Sequence, residues 1–279
     1  MRSPKFWGLH ADPPRGLRYF LAALPFILLI LVYWAASDAR HAANPDDKLL
    51  PGLGQMLEAI HQIAFTADKR TGQILFWHDT LASLSRLGAG VGLALICALL
   101  AGLNIGLFPG VRALLSGFLV VVSMIPPLAI LPILFITLGV DEGAKIALIF
   151  IGTFPILTRD ITHAVRDIPG EQIVKSLTLG ASATMLAYRI VLPQILPRAI
   201  DSLRLVLGGA WLFLIAAEAI AATEGLGYRI FLVRRYLAMD VIIPYVAWIT
   251  LLGFSFDFAL RRLNGLLFPW YGEAAEEGR

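Results

Sequence analysis

Apolar residues in this chain come in long blocks rather than in the alternating patterns of a water-exposed fold. Three runs, 19–36, 87–111 and 113–140, contain no charged residue. Each approaches or exceeds the ~20 residues that a membrane-crossing helix needs. Three shorter runs, 146–158, 205–217 and 241–256, end at Lys145, Arg159, Arg204 and Asp257. They predict spans if those charges reach the membrane interfaces. The pattern therefore predicts an all-α, polytopic membrane protein with six transmembrane helices in a single domain, 1–279. Between the first two spans, Leu53, Leu57, Ile60 and Ala64 recur at helical spacing. That segment reads either as a helix lying flat on the membrane surface or as a small lid packed on the other helices.

Composition agrees with lipid as the solvent. Hydrophobic residues make up 58% of the chain and charged residues 15%, against roughly 25% charged in an ordinary soluble domain. The net charge of +3 does not point to nucleic acid, because the basic residues are scattered around helix ends rather than gathered on one face. With the N-terminus inside, fourteen Lys and Arg fall on the cytoplasmic side and eight on the other, with Arg86 left at a helix end. The positive-inside rule thus predicts both termini on the cytoplasmic side. The first apolar run follows Arg2, Lys5, Arg15 and Arg18 but is longer than a signal-peptide core, so it reads as a retained span. Cys97 lies inside an apolar run and reads as a packing residue.

Local breaks carry more information. Gly88 and Gly92, and Gly102 and Gly106, are pairs at four-residue spacing that would admit a close helix neighbour. Pro126, Pro127 and Pro132 interrupt the third span, removing amide donors where no water can replace the lost hydrogen bonds. Broken backbone at that depth persists only inside protein or along a cavity, which makes this segment a candidate wall or gate of a translocation path. Glu218 is an acid deep in the fifth span. An acid there is expected either to pack by hydrogen bonding or to serve as a pathway carboxylate, since lipid exposure of charge is costly.

Several chemistries find no support. No G-x-x-x-x-G-K-[ST] phosphate loop occurs, the five histidines form no metal-ligand spacing, and no G-x-S-x-G elbow is present. The chain is therefore expected to have no ATPase site of its own and to bind no cofactor and no metal. The polar stretch 164–197 is more specific. Ile168-Pro169-Gly170 resets the chain, a short helix is predicted from Glu171 to Leu179, and Gly180-Ala181-Ser182 turns it back toward the fifth span. A short helix held between two turns outside the membrane suits docking in a groove of another protein.

Gly180, Ile190, Leu192 and Pro193 match the spacing of E-A-A-x3-G-x9-I-x-L-P. This resembles the cytoplasmic loop of the permease subunits of type I bacterial ABC importers. The E-A-A positions are here Val174, Lys175 and Ser176, a departure from the pattern. The resemblance extends over 78–270. It is closest to the nitrate, sulfonate, taurine and bicarbonate branch, through Ile125-Pro126-Pro127-Leu128-Ala129 with Pro132, Gly139 with Glu142 and Lys145, Leu203-Arg204, Ala217-Glu218 and Gly225-Leu226-Gly227-Tyr228. The run Tyr228 to Tyr236 is also similar to members encoded beside urea- or guanidine-carboxylating enzymes, which implies a small nitrogen compound. The resemblance implies a five-helix core with an added first helix, in a homodimer. Each coupling loop would seat in a cytoplasmic ATP-binding subunit, while a periplasmic or extracellular solute-binding protein delivers the solute. An ion-coupled secondary transporter is the alternative, since it too has broken helices and an intramembrane acid.

Overall fold

A computed structural model describes residues 14–44, 47–69 and 71–271; Arg2, Lys5, His10, Arg70 and Arg279 lie outside the described residues. Among the described residues the chain is helical throughout, with no strand. The long helices are α1 (Arg15–Ala43), α3 (Leu75–Leu107), α6 (Glu142–Arg166), α9 (Leu192–Ala221) and α11 (Met239–Leu267). Shorter helices are α2 (Leu53–Phe65), α4 (Pro109–Met124), α5 (Leu131–Leu138), α7 (Gly170–Thr178), α8 (Ala183–Met185) and α10 (Leu226–Arg234).

By length and apolarity four helices can cross a membrane, and α4 with the Pro127–Leu138 segment makes a fifth if that bent pair is one span. The fourth expected span, 146–158, is the middle of α6. This helix is buried along one side within the bundle and carries Lys145, Arg159 and Asp160. Its neighbours are protein rather than lipid, so its composition is not that of an isolated apolar span.

Lipid tails are as apolar as leucine, so helix association here depends on close approach rather than on escape from water. The α3–α6 contact shows how that is achieved. A Cβ on Gly90 would lie 2.7 Å from the Ile149 side chain, one on Gly102 2.7 Å from Ile161, and one on Gly106 2.5 Å from Val165. Ala94 and Ala98, also buried, continue the same stripe. The expected pair Gly102 and Gly106 therefore packs as predicted, but Gly88 and Gly92 meet nothing within 4 Å. Gly90, on the opposite face from Gly88, takes their place.

Arg204, Asp257 and Arg86, assigned to helix ends, are instead internal. Arg204 is inside α9, where its Nε donates to Asp257 Oδ1 of α11 at 2.8 Å and its Nη1 to Asp201 at 3.0 Å. The charges that were to flank two short spans thus neutralise each other across one helix pair, which lets both helices run well past the uncharged stretches. Arg86 is likewise inside α3 and buried.

The segment 51–65 forms α2 and packs on α3 and α11 through Met56, Ala59 and Ala64, while Leu53 and Leu57 face outward. One face closes on the bundle, as in the lid reading, and the other is exposed. An aromatic group, Phe76, Trp77, Tyr245 and Trp248, joins these elements, with Trp248 Nε1 donating to Thr80 Oγ1 at 3.1 Å. The first helix, α1, is exposed along nearly its whole length. It is tied at one end by Tyr33 Oη to Pro51 O at 2.7 Å and Ser37 Oγ to Leu50 O at 2.9 Å.

Candidate functional site

The loop between α6 and α9 is built as a protruding helix on a fixed base. Pro169 precedes the first turn of α7, and Gly180 ends it with φ of 86°. Gly180 N–H donates to Leu177 O at 3.0 Å and Ala181 N–H to Ser176 O at 3.1 Å. These are the two bonds of a Schellman cap, which calls for a left-handed residue at this position. Ser182 Oγ accepts from Met185 N at 3.2 Å and starts the return. A π-helical turn, Leu186–Val191, then leads into α9.

The residues singled out in this loop divide into two groups. Ile190 and Leu192 pack against the core beside buried Val191 and Ile195, while Pro193 is exposed at the start of α9. Glu171, Val174 and Lys175 are exposed and Ser176 half-buried. Leu179 is 80% exposed, and no residue of α7 is buried. Beside α7 lies a cleft of about 510 Å³ lined by Gly106, Phe108, Arg112, Val165, Ile173 and Leu177. Val174, Leu177 and Leu179 thus present apolar surface from a charged loop.

The broken segment opens at Ile125 and Pro126, both extended, followed by a 3₁₀ turn, Pro127–Ile130, and α5. The two helical halves are bent by 82°. Pro132 falls in the first turn of α5, where its missing N–H costs nothing. One side of the break is anchored, since buried Leu131 packs with Leu148 and Ala217. Met124, Ile125 and Ile136 on the other side are exposed.

Glu218 follows Ala217 and is 0% exposed. It accepts from Ser83 Oγ at 2.8 and 2.9 Å, Arg86 Nη1 at 2.7 Å and Gly227 N at 2.8 Å. Its three donors, with the Ser83 hydroxyl shared between both oxygens, are two side chains and a backbone amide, the arrangement in which a buried carboxylate is tolerated. Arg86 also holds Glu142, through Nε at 2.5 Å and Nη2 at 2.9 Å, and meets Glu224 at 3.3 Å. Lys145 Nζ donates to Glu142 at 2.8 Å. Alongside, Asp79 accepts from Gly225 N at 2.9 Å and Arg229 Nε at 2.7 Å, and Leu226 N donates to Ser83 Oγ at 2.8 Å.

This lattice stands at the end of the bundle opposite the α6–α9 loop. It fastens the first turn of α10 to α3, α6 and α9. Gly225, with φ of 117°, fits only because it lacks a Cβ, which would fall 2.5 Å from Glu218 Oε1. Of its members only Glu218 was singled out for this place. Asp79, Ser83, Arg86 and Arg229 gave no local signal, because their partners are up to 150 positions away. Among the described residues no cluster of His, Cys, Asp and Glu fit for a metal occurs.

The chain is similar to known proteins in sequence and in fold. Residues 90–271 match the family model described as binding-protein-dependent transport system inner membrane component. The chain is 32% identical over 246 residues to the taurine transport system permease protein TauC of Escherichia coli, an alignment covering 88% of each. It is 33% identical over 197 residues to the bicarbonate transport system permease protein CmpB of a Synechocystis species, covering 70% of each. A putative aliphatic sulfonates transport permease protein, SsuC of Escherichia coli, is 35% identical over 147 residues, 52% of this chain and 56% of that one. A structure of the MetNI methionine ABC transporter in an inward-facing conformation superposes with a TM-score of 0.62 at 18% identity, over 72% of this chain and 99% of that one. Family model, relatives and fold agree, and the chain belongs to the binding-protein-dependent transport system inner membrane components, the permease proteins of ABC transporters.

Proposed function

We propose that this chain is the permease subunit of an ATP-driven importer for a small oxyanion of the taurine, alkanesulfonate or bicarbonate kind. It works as a homodimer, with both termini cytoplasmic. The observation that carries the mechanism is α7, an exposed helix with apolar Val174, Leu177 and Leu179 outward, set on a Schellman cap at Gly180 and rooted in the core through Ile190 and Leu192. Such a helix can be pushed as a unit by a partner, and rigid seating at its base passes the push to α6 and α9. ATP is bound by that cytoplasmic partner, and a solute-binding protein supplies the solute on the other side. The substrate class comes from the named relatives. The guanidine or urea reading rests on Tyr228 to Tyr236 alone.

The intramembrane acid that suggested an ion-coupled carrier, Glu218, is sealed by Ser83, Arg86 and Gly227 N. The test is co-purification of tagged permease with a nucleotide-binding subunit, followed by uptake in proteoliposomes of taurine, alkanesulfonates, bicarbonate, nitrate, urea and guanidinium. ATP-dependent uptake of an anion is expected. Uptake without an ATPase subunit, driven by an ion gradient, would overturn the reading.

A further inference from the structure

Glu142 occupies its place as a bound anion would. Its carboxylate takes the Nε and Nη2 edge of Arg86 at 2.5 and 2.9 Å and Lys145 Nζ at 2.8 Å. A guanidinium fork plus an ammonium is the donor set that proteins use to grip a carboxylate, sulfonate or phosphate oxygen pair. The two cations are built in, with side chains 2% and 5% exposed, whereas Glu142 is 55% exposed. The carboxylate is therefore the outermost and most replaceable member. It also sits in the first turn of α6, a position that favours an anion, next to the N-cap Asp141.

The opening beside it is a cavity of about 710 Å³ lined by Asp141, Glu142, Lys145, Ile220 and Thr223 among others, at the ends of α6 and α9 and so beside the broken segment. Of the other acids, Asp141 lines the opening without a side-chain capping bond. Glu218 lies on Nη1, and Glu224 reaches Nη2 only at 3.3 Å while also facing His78 at 3.4 Å.

We propose that Arg86 and Lys145 form an oxyanion-binding site at this mouth, held shut by the Glu142 carboxylate and opened when Glu142 swings into the cavity. A carboxylate, sulfonate or bicarbonate group takes over the two cations in its place. The inference rests on the permease reading for its substrate class, but the site itself is testable without transport.

Purified permease–ATPase complex carrying Glu142→Ala is heated in acetate or methanesulfonate, against chloride at equal ionic strength. Its Tm is expected to be lower than wild type in chloride and to rise with acetate or methanesulfonate by roughly 2–4 °C. Wild type and Glu142→Gln, in which a side chain fills the site, are expected to show no such anion-specific rise. Adding Lys145→Gln to Glu142→Ala should abolish it. If Glu142→Ala assembles poorly in chloride, the yield of complex in acetate is the same readout. Equal stability or yield in chloride and oxyanion, or an equal response in Glu142→Gln, overturns the site. Absence of all uptake by the wild-type complex, with the Glu142→Ala variant still stabilised by oxyanion, would overturn the transport reading and leave the site standing.

Discussion

Arg86 and Glu218 are 132 positions apart and meet at 2.7 Å, with 2% and 0% of their side chains exposed. The pair joins α3 to α9 and, through Gly227 N and Glu142, reaches α10 and α6 as well. Stripping either ion of its water is expensive, and what makes the pair tolerable is the completeness of the hydrogen bonding around it.

Breaking this pair should therefore cost more than a lost surface contact. Glu218→Ala leaves Ser83, Gly227 N and one edge of Arg86 without acceptors, and is expected to destabilise the chain by about 3–5 kcal/mol and to reduce assembled complex. Glu218→Gln keeps an acceptor oxygen and leaves Arg86 neutralised by Glu142, so its Tm loss should be smaller. Thermal melts of the two purified variants check this. A Gln variant that melts like wild type but does not transport would show that the charge of Glu218 matters beyond packing.

At the other end, Gly180→Val should act through the backbone. Nothing lies within 4 Å of a Cβ at this position, but φ is 86°, a region that costs a β-branched residue of order 1–3 kcal/mol. The strain is local to the end of α7, so insertion should be preserved while transport falls relative to ATP hydrolysis. Uptake and ATPase rates in proteoliposomes provide the ratio. An unchanged ratio would remove α7 from the coupling path.

The glycines of α3 offer a contrast of two substitutions, one inside the packed stripe and one outside it. Gly106→Ala drives a methyl to 2.5 Å from the Val165 side chain, whose Cβ is fixed to α6, and should cost about 1–3 kcal/mol. Gly88→Ala meets empty space and should be neutral or slightly stabilising by helix propensity. The Tm values of the two variants decide it, and a loss at Gly88 would place another surface of the assembly against that face.

Orientation is accessible to labelling once Cys97 has been replaced. Exposed Gln73, in the turn before α3, and exposed Glu171, on α7, fall at opposite ends of the bundle. With the N-terminus inside, Gln73→Cys should react with an impermeant thiol reagent in intact cells and Glu171→Cys only after lysis. Reaction of Glu171→Cys in intact cells would put α7 on the wrong side for a cytoplasmic ATPase.

What could be read along the chain was whatever depends on neighbours in sequence. Charge-free blocks announced membrane helices because solvent acts on each segment separately. Paired prolines announced the break at Ile125 and Pro126 because the missing donors are their own. Gly180 announced the end of α7 because a Schellman cap needs its left-handed residue at one fixed offset. The ends of the spans were less legible. Arg204 and Asp257 look like boundaries until α9 and α11 are side by side, and then each is the reason the other can be internal.

Tertiary structure alone decided which glycines touch a neighbour and where the charges go. Gly88 and Gly92 have the spacing of a packing motif, yet α3 turns the face of Gly90 toward α6, a rotation that the spacing does not contain. Arg86, Glu142, Lys145 and Glu218 are ordinary charges one at a time. Their chemistry exists only where three helices converge, because electrostatic energy depends on distances through space, and those distances are set by how the helices pack.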